Sequence, residues 1–261
     1  MKCRKIKEER KKNKVLLMLE GSDEVFANTI RRLILEEVPT LAVEEVEIKD
    51  NDSALYDEML ALSLGLIPIK TDLSSYRLPQ SPQEVEEKSA SCTLQLKLKS
   101  SQKGLVYAEE AESADSKCTF AYPKMPVVKL LSKQKLDVTM TAVMGQGKVH
   151  TKWSPGYAHY KKELLLKVGK IFEAEKIAQA CPDGVFTLKG NKLEVNQEKV
   201  YESNLLEQYA EMDKGITIDY TDNILITVES WGQLSWREML TASAEILSDK
   251  AEQLEKLIYS N

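Results

Sequence analysis

Hydrophobic and polar positions change period along the chain, and each change marks an element. VLLMLEG (15–21) is a short, nearly continuous apolar run ending on glycine, which predicts a strand entering a turn. In DEVFANTIRRLILEEVP, Phe26, Ile30, Leu33 and Ile34 recur at helical spacing. Ser22 or Asp23 can cap that helix, Asp23 and Glu24 suit its N-terminal dipole, and Pro39 stops it. LAVEEVEI then alternates as a strand. NDSALYDEMLALSLGLIPI predicts a second helix, with Ser53 as a candidate cap, Asp57 and Glu58 in its early turns, and a left-handed end at Gly65 before Leu66 and Pro68. Residues 72–91, rich in Ser, Pro and acids, predict an exposed loop. CTLQLKLKS (92–100) and LDVTMTAVM (136–144) alternate cleanly, placing Cys92, Leu94, Leu96 and Leu98 on one inward face and Leu136, Val138, Met140 and Ala142 on another. GQG (145–147) turns the chain into KVHTKWSPGYAHY. From about 168 to 220 the texture changes to a helix, a Cys-Pro pair and a hairpin around LKGNKLEV. ILITVES (224–230) returns to strand, and Ser235 with Glu238 forms a capping box opening a last helix. Along that helix Trp236, Leu240, Ile246 or Leu247, Leu254 and Leu257 keep one apolar face. Such a succession of helices and alternating strands predicts an α+β fold.

The chain's 261 residues, 43% hydrophobic and 30% charged, suffice for two domains with buried cores. No apolar run approaches the roughly 20 residues of a membrane helix, and the opening MKCRKIKEERKKNK lacks the apolar stretch of a secretory signal. That opening reads as a solvated end. Against 36 basic residues stand 41 acidic ones, so the net charge of −5 provides no cationic footprint for binding nucleic acid alone. Cys3, Cys92, Cys118 and Cys181 are widely scattered, a pattern that suits a reducing, cytoplasmic setting.

Candidate chemistry is sparse. AQACPDGVF (178–186) looks like the end of one cluster-binding arm of a bacterial-type ferredoxin, which runs C-x2-C-x2-C-x3-C-P. Counting back from Cys181 at that spacing reaches Ile177, Ala174 and Ile171, and a second arm would fall near Val200, Ser203, Leu206 and Ala210. One thiolate cannot hold a cluster, which weighs against an electron carrier or redox sensor, the rival from another functional class. Asp57 and Glu58 form an adjacent carboxylate pair with no third ligand and read as acids opening a helix. His150 and His159 share no metal-ligand spacing with other groups. Arg31 and Arg32 either line a solvated helix face or point, about 100° apart, at different partners. The helices at 22–38 and 235–258 together carry more apolar surface than two short strands cover, which points to a partner surface.

Four stretches in order carry a resemblance: FANTIRRLILEEVPTLAVEEVEI, NDSALYDEMLALSLGLIPI, HTKWSP at 150–155, and ILITVESWGQLS before a long terminal helix. The chain resembles the α-like subunits of cellular RNA polymerases, and the NDSALYDE form with the ferredoxin-like segment is similar to the archaeal, D-type members. The resemblance implies a discontinuous dimerisation domain over 1–39 and 221–261, an inserted mainly β domain over 40–167, and a degenerate ferredoxin-like domain over 168–220. It implies a non-catalytic scaffold of DNA-directed RNA polymerase, a nucleotidyltransferase of transcription. The chain would heterodimerise with the small α-like subunit L, bind subunits N and P, and seat the large catalytic subunits, meeting DNA only within the complex and no membrane. Implied interface residues are Phe26, Asn28, Ile30, Arg31, Arg32, Leu33, Trp236, Leu240, Leu247 and Leu254, with His150, Lys152, Trp153 and Pro155 as an assembly-motif loop. Arg32 matches the arginine associated with docking a large subunit, where its planar five-donor fork suits a carboxylate or carbonyl cluster.

Two departures from the family pattern matter. Where the family commonly reads A-H-R-L-G, this chain has Ala61, Leu62, Ser63, Leu64 and Gly65. Eukaryotic members carry a cysteine-rich zinc loop before the strand at 92–100, of which only Cys92 remains. The expectation is therefore no zinc and no iron–sulfur cluster, with Cys92 and Cys181 as lone remnants.

Overall fold

A computed structural model describes residues 1–171, 174–181, 183–190 and 192–259. In chain order, β1 (Lys2–Glu9) and β2 (Lys14–Glu20) lead to α1 (Glu24–Arg32), which continues as a π-helical turn, Leu33–Glu37. Then come β3 (Pro39–Asn51), α2 (Asp57–Leu66), α3 (Pro82–Glu86), β4 (Thr93–Ser100), β5 (Gly104–Tyr107), β6 (Ala111–Ser113), β7 (Pro126–Leu130), β8 (Leu136–Gln146) and β9 (Gly156–Val168). The remainder comprises α4 (Ala174–Ala180), β10 (Phe186–Lys189), β11 (Lys192–Val195), α5 (Gln197–Glu202), α6 (Leu206–Met212), β12 (Ile216–Ser230) and α7 (Trp236–Tyr259). The chain is a mixed α/β protein with several antiparallel sheets, and it divides into two compact units.

The first unit comprises Met1–Lys7, Leu16–Asn28 and His159–Thr227. Its sheet has the order β1-β2-β12-β9, and Leu16, Met18 and Leu225 are buried against Ile6 and Tyr201. The basic opening of the chain is thus an edge strand and not a loose end. Its side chains are largely exposed, and edge strands commonly carry charge that discourages further pairing. Asp23 Oδ1 accepts from Phe26 N at 2.8 Å and so caps α1, while the Ser22 hydroxyl is buried without a hydrogen bond. The hairpin β10–β11 pairs Phe186 with Val195 and Leu188 with Leu193, as the LKGNKLEV turn signals predict. A buried carboxylate ties this unit together. Glu163 on β9, only 6% exposed, accepts hydrogen bonds from Tyr201 (2.6 Å) on α5 and from Thr221 and Asn223 (2.9 Å each) on β12. Burial pushes its carboxyl pKa up, but the bonds from Tyr201, Asn223 and Thr221 together outweigh burial and hold it below the ordinary value.

The second unit comprises Glu8–Val15, Thr29–Ala158 and Val228–Asn261. Its main sheet has the order β3-β8-β4-β6, with β5 and β7 forming a separate ribbon. Leu96 opposes Met140 and Leu98 opposes Val138, so the two alternating strands bury one common face as their pattern predicts. Helix α2 adds Leu60 and Leu64 to that core. Its N-cap is Tyr56, whereas Ser53 sits three residues earlier, its hydroxyl bonded to Asn51 Oδ1 at 2.6 Å. Gly65 lies inside this helix and not at a left-handed end, because the last turn closes through Ile67 N to Leu64 O. The 72–91 stretch holds the short helix α3, and Arg77 grips Glu84 in a two-pronged ion pair at 2.9 and 3.0 Å. Cys92 and Cys118 are fully buried in the second unit.

Candidate partner-docking surface

Helix α1 changes character after Arg32. The Val38 N–H reaches back to Leu33 O at 3.0 Å, a wider turn than the α-helical ladder, and Pro39 follows. A close approach in the second unit accompanies this turn. A Cβ on Gly147 would lie 1.9 Å from Leu35 O, so only glycine admits that carbonyl. Carbonyls freed from the helix find donors in the same GQG turn: Lys148 N bonds Glu36 O at 3.0 Å, and Gln146 Nε2 bonds Glu37 O at 2.8 Å. The Glu37 carboxylate then bridges Lys250 of α7 at 2.9 Å and Lys148 at 3.0 Å. The Lys250 bond is the largest influence, and the two lysines together keep the Glu37 pKa below its ordinary value.

This arrangement sorts the expected interface residues. Ile30 and Leu33 are buried within the chain's own core, because their helical positions turn inward, so they leave the list of side chains open to a partner. Arg31 is half-buried, and Arg32 is exposed with its fork on Glu36 at 3.1 and 3.3 Å. In the first unit, Phe26 and Asn28 are half-buried. On α7 both halves of the capping box form, Ser235 N to Glu238 Oε2 at 2.7 Å and Glu238 N to Ser235 Oγ at 3.3 Å. Met239, Ala242 and Ser243 pack inward, while Trp236, Leu240 and Leu247 are half-buried and Trp236 Nε1 donates to Glu8 at 3.2 Å. Beyond them Leu254, Leu257, Ile258 and Tyr259 are 59%, 69%, 62% and 81% exposed.

The 150–155 loop is mostly internal. Trp153 and Pro155 are buried, and the indole donates to Val143 O at 3.0 Å. A Cβ on Gly145 would lie 2.4 Å from that ring. Lys152 donates to Val43 O at 3.0 Å, pairs with Glu44, and sits 4.5 Å over the Trp153 ring. His150 caps the turn through Nδ1, which accepts from Lys152 N at 3.1 Å, and is itself exposed. These residues hold the loop on β3 and β8, with His150 and Thr151 exposed. Among the described residues no three His, Cys, Asp or Glu side chains converge as metal ligands. Asp57 instead accepts from Asn51 Nδ2 at 2.8 Å. In the first unit, Ala174, Ile177, Cys181, Val200 and Leu206 belong to one apolar core, with Ile171 and Ala210 packed against it. Ser203 is buried and bonds Asp183 at 2.7 Å. Pro182, second residue of the Cys-Pro pair, lies outside the described residues.

Sequence reasoning missed the Glu37–Lys148–Lys250 bridge and the Glu163 network, since both join residues far apart in the chain. The buried face of α1 was accessible to it, because Ile30 and Leu33 share a stripe with Ile34.

A mixed α/β chain with several antiparallel sheets is compatible with the fold of an α-like polymerase subunit. Residues 46–157 match the RNA polymerase Rpb3/RpoA insert domain. The chain is 32% identical to DNA-directed RNA polymerase subunit Rpo3 of Methanosphaera stadtmanae, covering 94% of this chain and 95% of that protein. It is 34% identical to the Rpo3 subunits of Methanosarcina acetivorans, over 91% of both chains, and of Pyrococcus horikoshii, over 92% and 91%. The chain belongs to the Rpo3 family of archaeal DNA-directed RNA polymerase subunits.

Proposed function

We propose that the chain is a non-catalytic assembly subunit of archaeal RNA polymerase that heterodimerises with the small α-like subunit L. On this reading the dimerisation domain is discontinuous, over 1–39 and 221–261, with an inserted β domain at 40–167 and a ferredoxin-like domain at 168–220. The match of 46–157 to a polymerase insert domain falls inside the second of these and supports the division. The observation that carries the proposal is the bare end of α7, where the four core-sized apolar side chains of Leu254, Leu257, Ile258 and Tyr259 stand in water. Burying each such leucine in a heterodimer contributes about 1.5–3 kcal/mol. Subunits N and P and the large catalytic subunits then assemble on that heterodimer in the cytoplasm. Arg32, exposed and already oriented by Glu36, presents its guanidinium to a large subunit. DNA is met only through the complex.

The chain works without an iron–sulfur cluster or zinc. In support, the places where ferredoxin spacing would set thiolates hold Ile, Ala, Val, Leu and Ser packed in or against a protein core, and burial pushes the remaining Cys181 thiol pKa up, away from the thiolate a metal needs. Anaerobically purified protein is expected to be colourless, and a brown preparation with stoichiometric iron would refute this.

Co-expression with L tests the assembly role. The wild-type chain is expected to elute with L at one-to-one stoichiometry, and the Leu254→Asp/Leu257→Asp variant to elute alone while keeping its far-UV spectrum. A wild-type chain that stays monomeric beside L overturns the proposal.

A further inference from the structure

We propose that the loop Trp231–Leu234 and the two cavities flanking it in the second unit form a docking site for an extended acidic segment of another polymerase subunit. One cavity, of 440 Å³, is walled in part by Arg10, Lys14 and Lys70. None of these three cations has a side-chain hydrogen bond or ion pair among the described residues. The carboxylates on the same wall are already engaged, Glu8 by the Trp236 indole and Glu238 by the helix cap. Three unpaired cations therefore surround a space large enough for one or two side chains. Across the loop lies a second cavity, of 310 Å³, lined by Leu66, Pro68, Tyr122 and Trp231. Its Leu66, Tyr122 and Trp231 are exposed large apolar side chains that close neighbours in the chain leave uncovered.

The loop between the cavities is rigid before anything binds. Trp231 N donates to Pro155 O at 3.0 Å, Gly232 N to Ser230 Oγ at 2.9 Å, and Thr71 N to Gln233 O at 2.9 Å. Gly232 has φ +98°, and a Cβ there would come within 2.9 Å of the Ala121 Cβ, so glycine lets the loop lie beside Tyr122. A loop fixed in this way loses little further conformational freedom on binding. Gln233 walls both cavities, and its Oε1 is buried without a hydrogen-bond partner. A small turn of that amide offers an acceptor to a peptide N–H.

These features select a polypeptide. A carboxylate fits among the three cations, an apolar side chain fits against Trp231 and Tyr122, and the backbone between them supplies a donor for Gln233. A nucleic acid brings a charge at every phosphate, whereas the second cavity is lined mainly by apolar side chains and its Lys152 is already paired with Glu44, so it has no free cation for a second phosphate.

The inference rests on the assembly role proposed above, and the test separates the two. Lys70 is replaced by the photo-cross-linker p-benzoylphenylalanine, and the chain is reconstituted with L and then with the full set of polymerase subunits. After irradiation, the expected cross-link is to a segment of another subunit holding Asp or Glu next to an apolar residue. The Lys14→Glu/Lys70→Glu variant is expected to fold normally, since neither side chain has an internal partner. It should bind L as the wild type does and lose about 10-fold in retention of that subunit in moderate salt. Replacing the segment's carboxylate with Lys should restore retention. A cross-link to DNA or RNA, to a segment without acids, or to nothing while L still binds overturns this inference alone, as does charge reversal without effect or without rescue. Failure of the wild-type chain to bind L overturns the assembly role and this inference with it.

Discussion

Replacing Glu163 with Ala removes the one acceptor shared by Tyr201, Thr221 and Asn223. Each hydrogen bond to a charged group is worth ~1.5–3 kcal/mol net, so three give a gross loss of ~4.5–9 kcal/mol. Removing the charge also removes its desolvation cost of several kcal/mol, and breaking one side of a buried charged cluster typically nets ~3–5 kcal/mol. The expected loss for Glu163→Ala is therefore ~3–5 kcal/mol in the first unit. Glu163→Gln keeps the shape and one acceptor oxygen for Thr221 and Asn223, while its amide can donate to a rotated Tyr201 hydroxyl. That variant should lose about 1–2 kcal/mol. The sign of the pH dependence follows from the carboxyl pKa, held below its reference of 4.5 in the folded protein. Its contribution is present above about 4.5 and is lost as pH falls through the folded pKa. Glu163→Gln should lack that part of the acid sensitivity. Because Trp153, Trp231 and Trp236 all lie in the second unit, tryptophan fluorescence does not report this loss. Urea unfolding by circular dichroism, with hydrogen exchange read at β9 and β12 amides, does. Amides as protected in Glu163→Ala as before, or a Gln variant as costly as Ala, would refute this role for Glu163.

Gly147→Ala should destabilise the second unit by about 1–3 kcal/mol, because the new methyl meets the Leu35 carbonyl and one backbone must move. A thermal melt unchanged from wild type would show that the π turn does not depend on this contact. Tyr209→Phe should raise stability by ~1 kcal/mol. The Tyr209 hydroxyl is buried without a hydrogen bond of normal geometry although Asp183, Cys181 and Ser203 surround it, and burial first among several causes pushes its pKa to about 12. Phenylalanine keeps the edge-on contact with Phe186 at 5.7 Å, so a lower melting temperature would reveal a hydroxyl bond that matters.

Local chemistry was legible from sequence where one face of an element is buried against its neighbour. The strands β4 and β8 alternate because Leu94, Leu96, Leu98, Val138 and Met140 share one core, and the Ser235–Glu238 box declares its helix within four residues. Strand β1 gave no such signal, since an edge strand in water on much of its surface has no need to alternate. The π turn is met by Gly147 and Gln146, more than a hundred residues from the helix they contact. For the same reason the candidate docking surface was only half legible. The apolar stripes of α1 and α7 could be read, but the internal duties of Lys152 and Trp153 come from the tertiary fold. A sequence motif can mark a family by what it holds together inside the chain as well as by what it touches.

The core around Cys181 carries a consequence for how this chain reaches its folded state. Where metal ligands close a small domain, the free energy of folding includes that of binding the metal, so chelators and oxidants can unfold it. Here Ile177, Val200, Leu206 and Phe186 pack together in one apolar core. On the proposed metal-free reading, such a segment folds as it is synthesised without waiting for delivery of a metal. On that same reading its stability follows temperature through the heat capacity of apolar hydration.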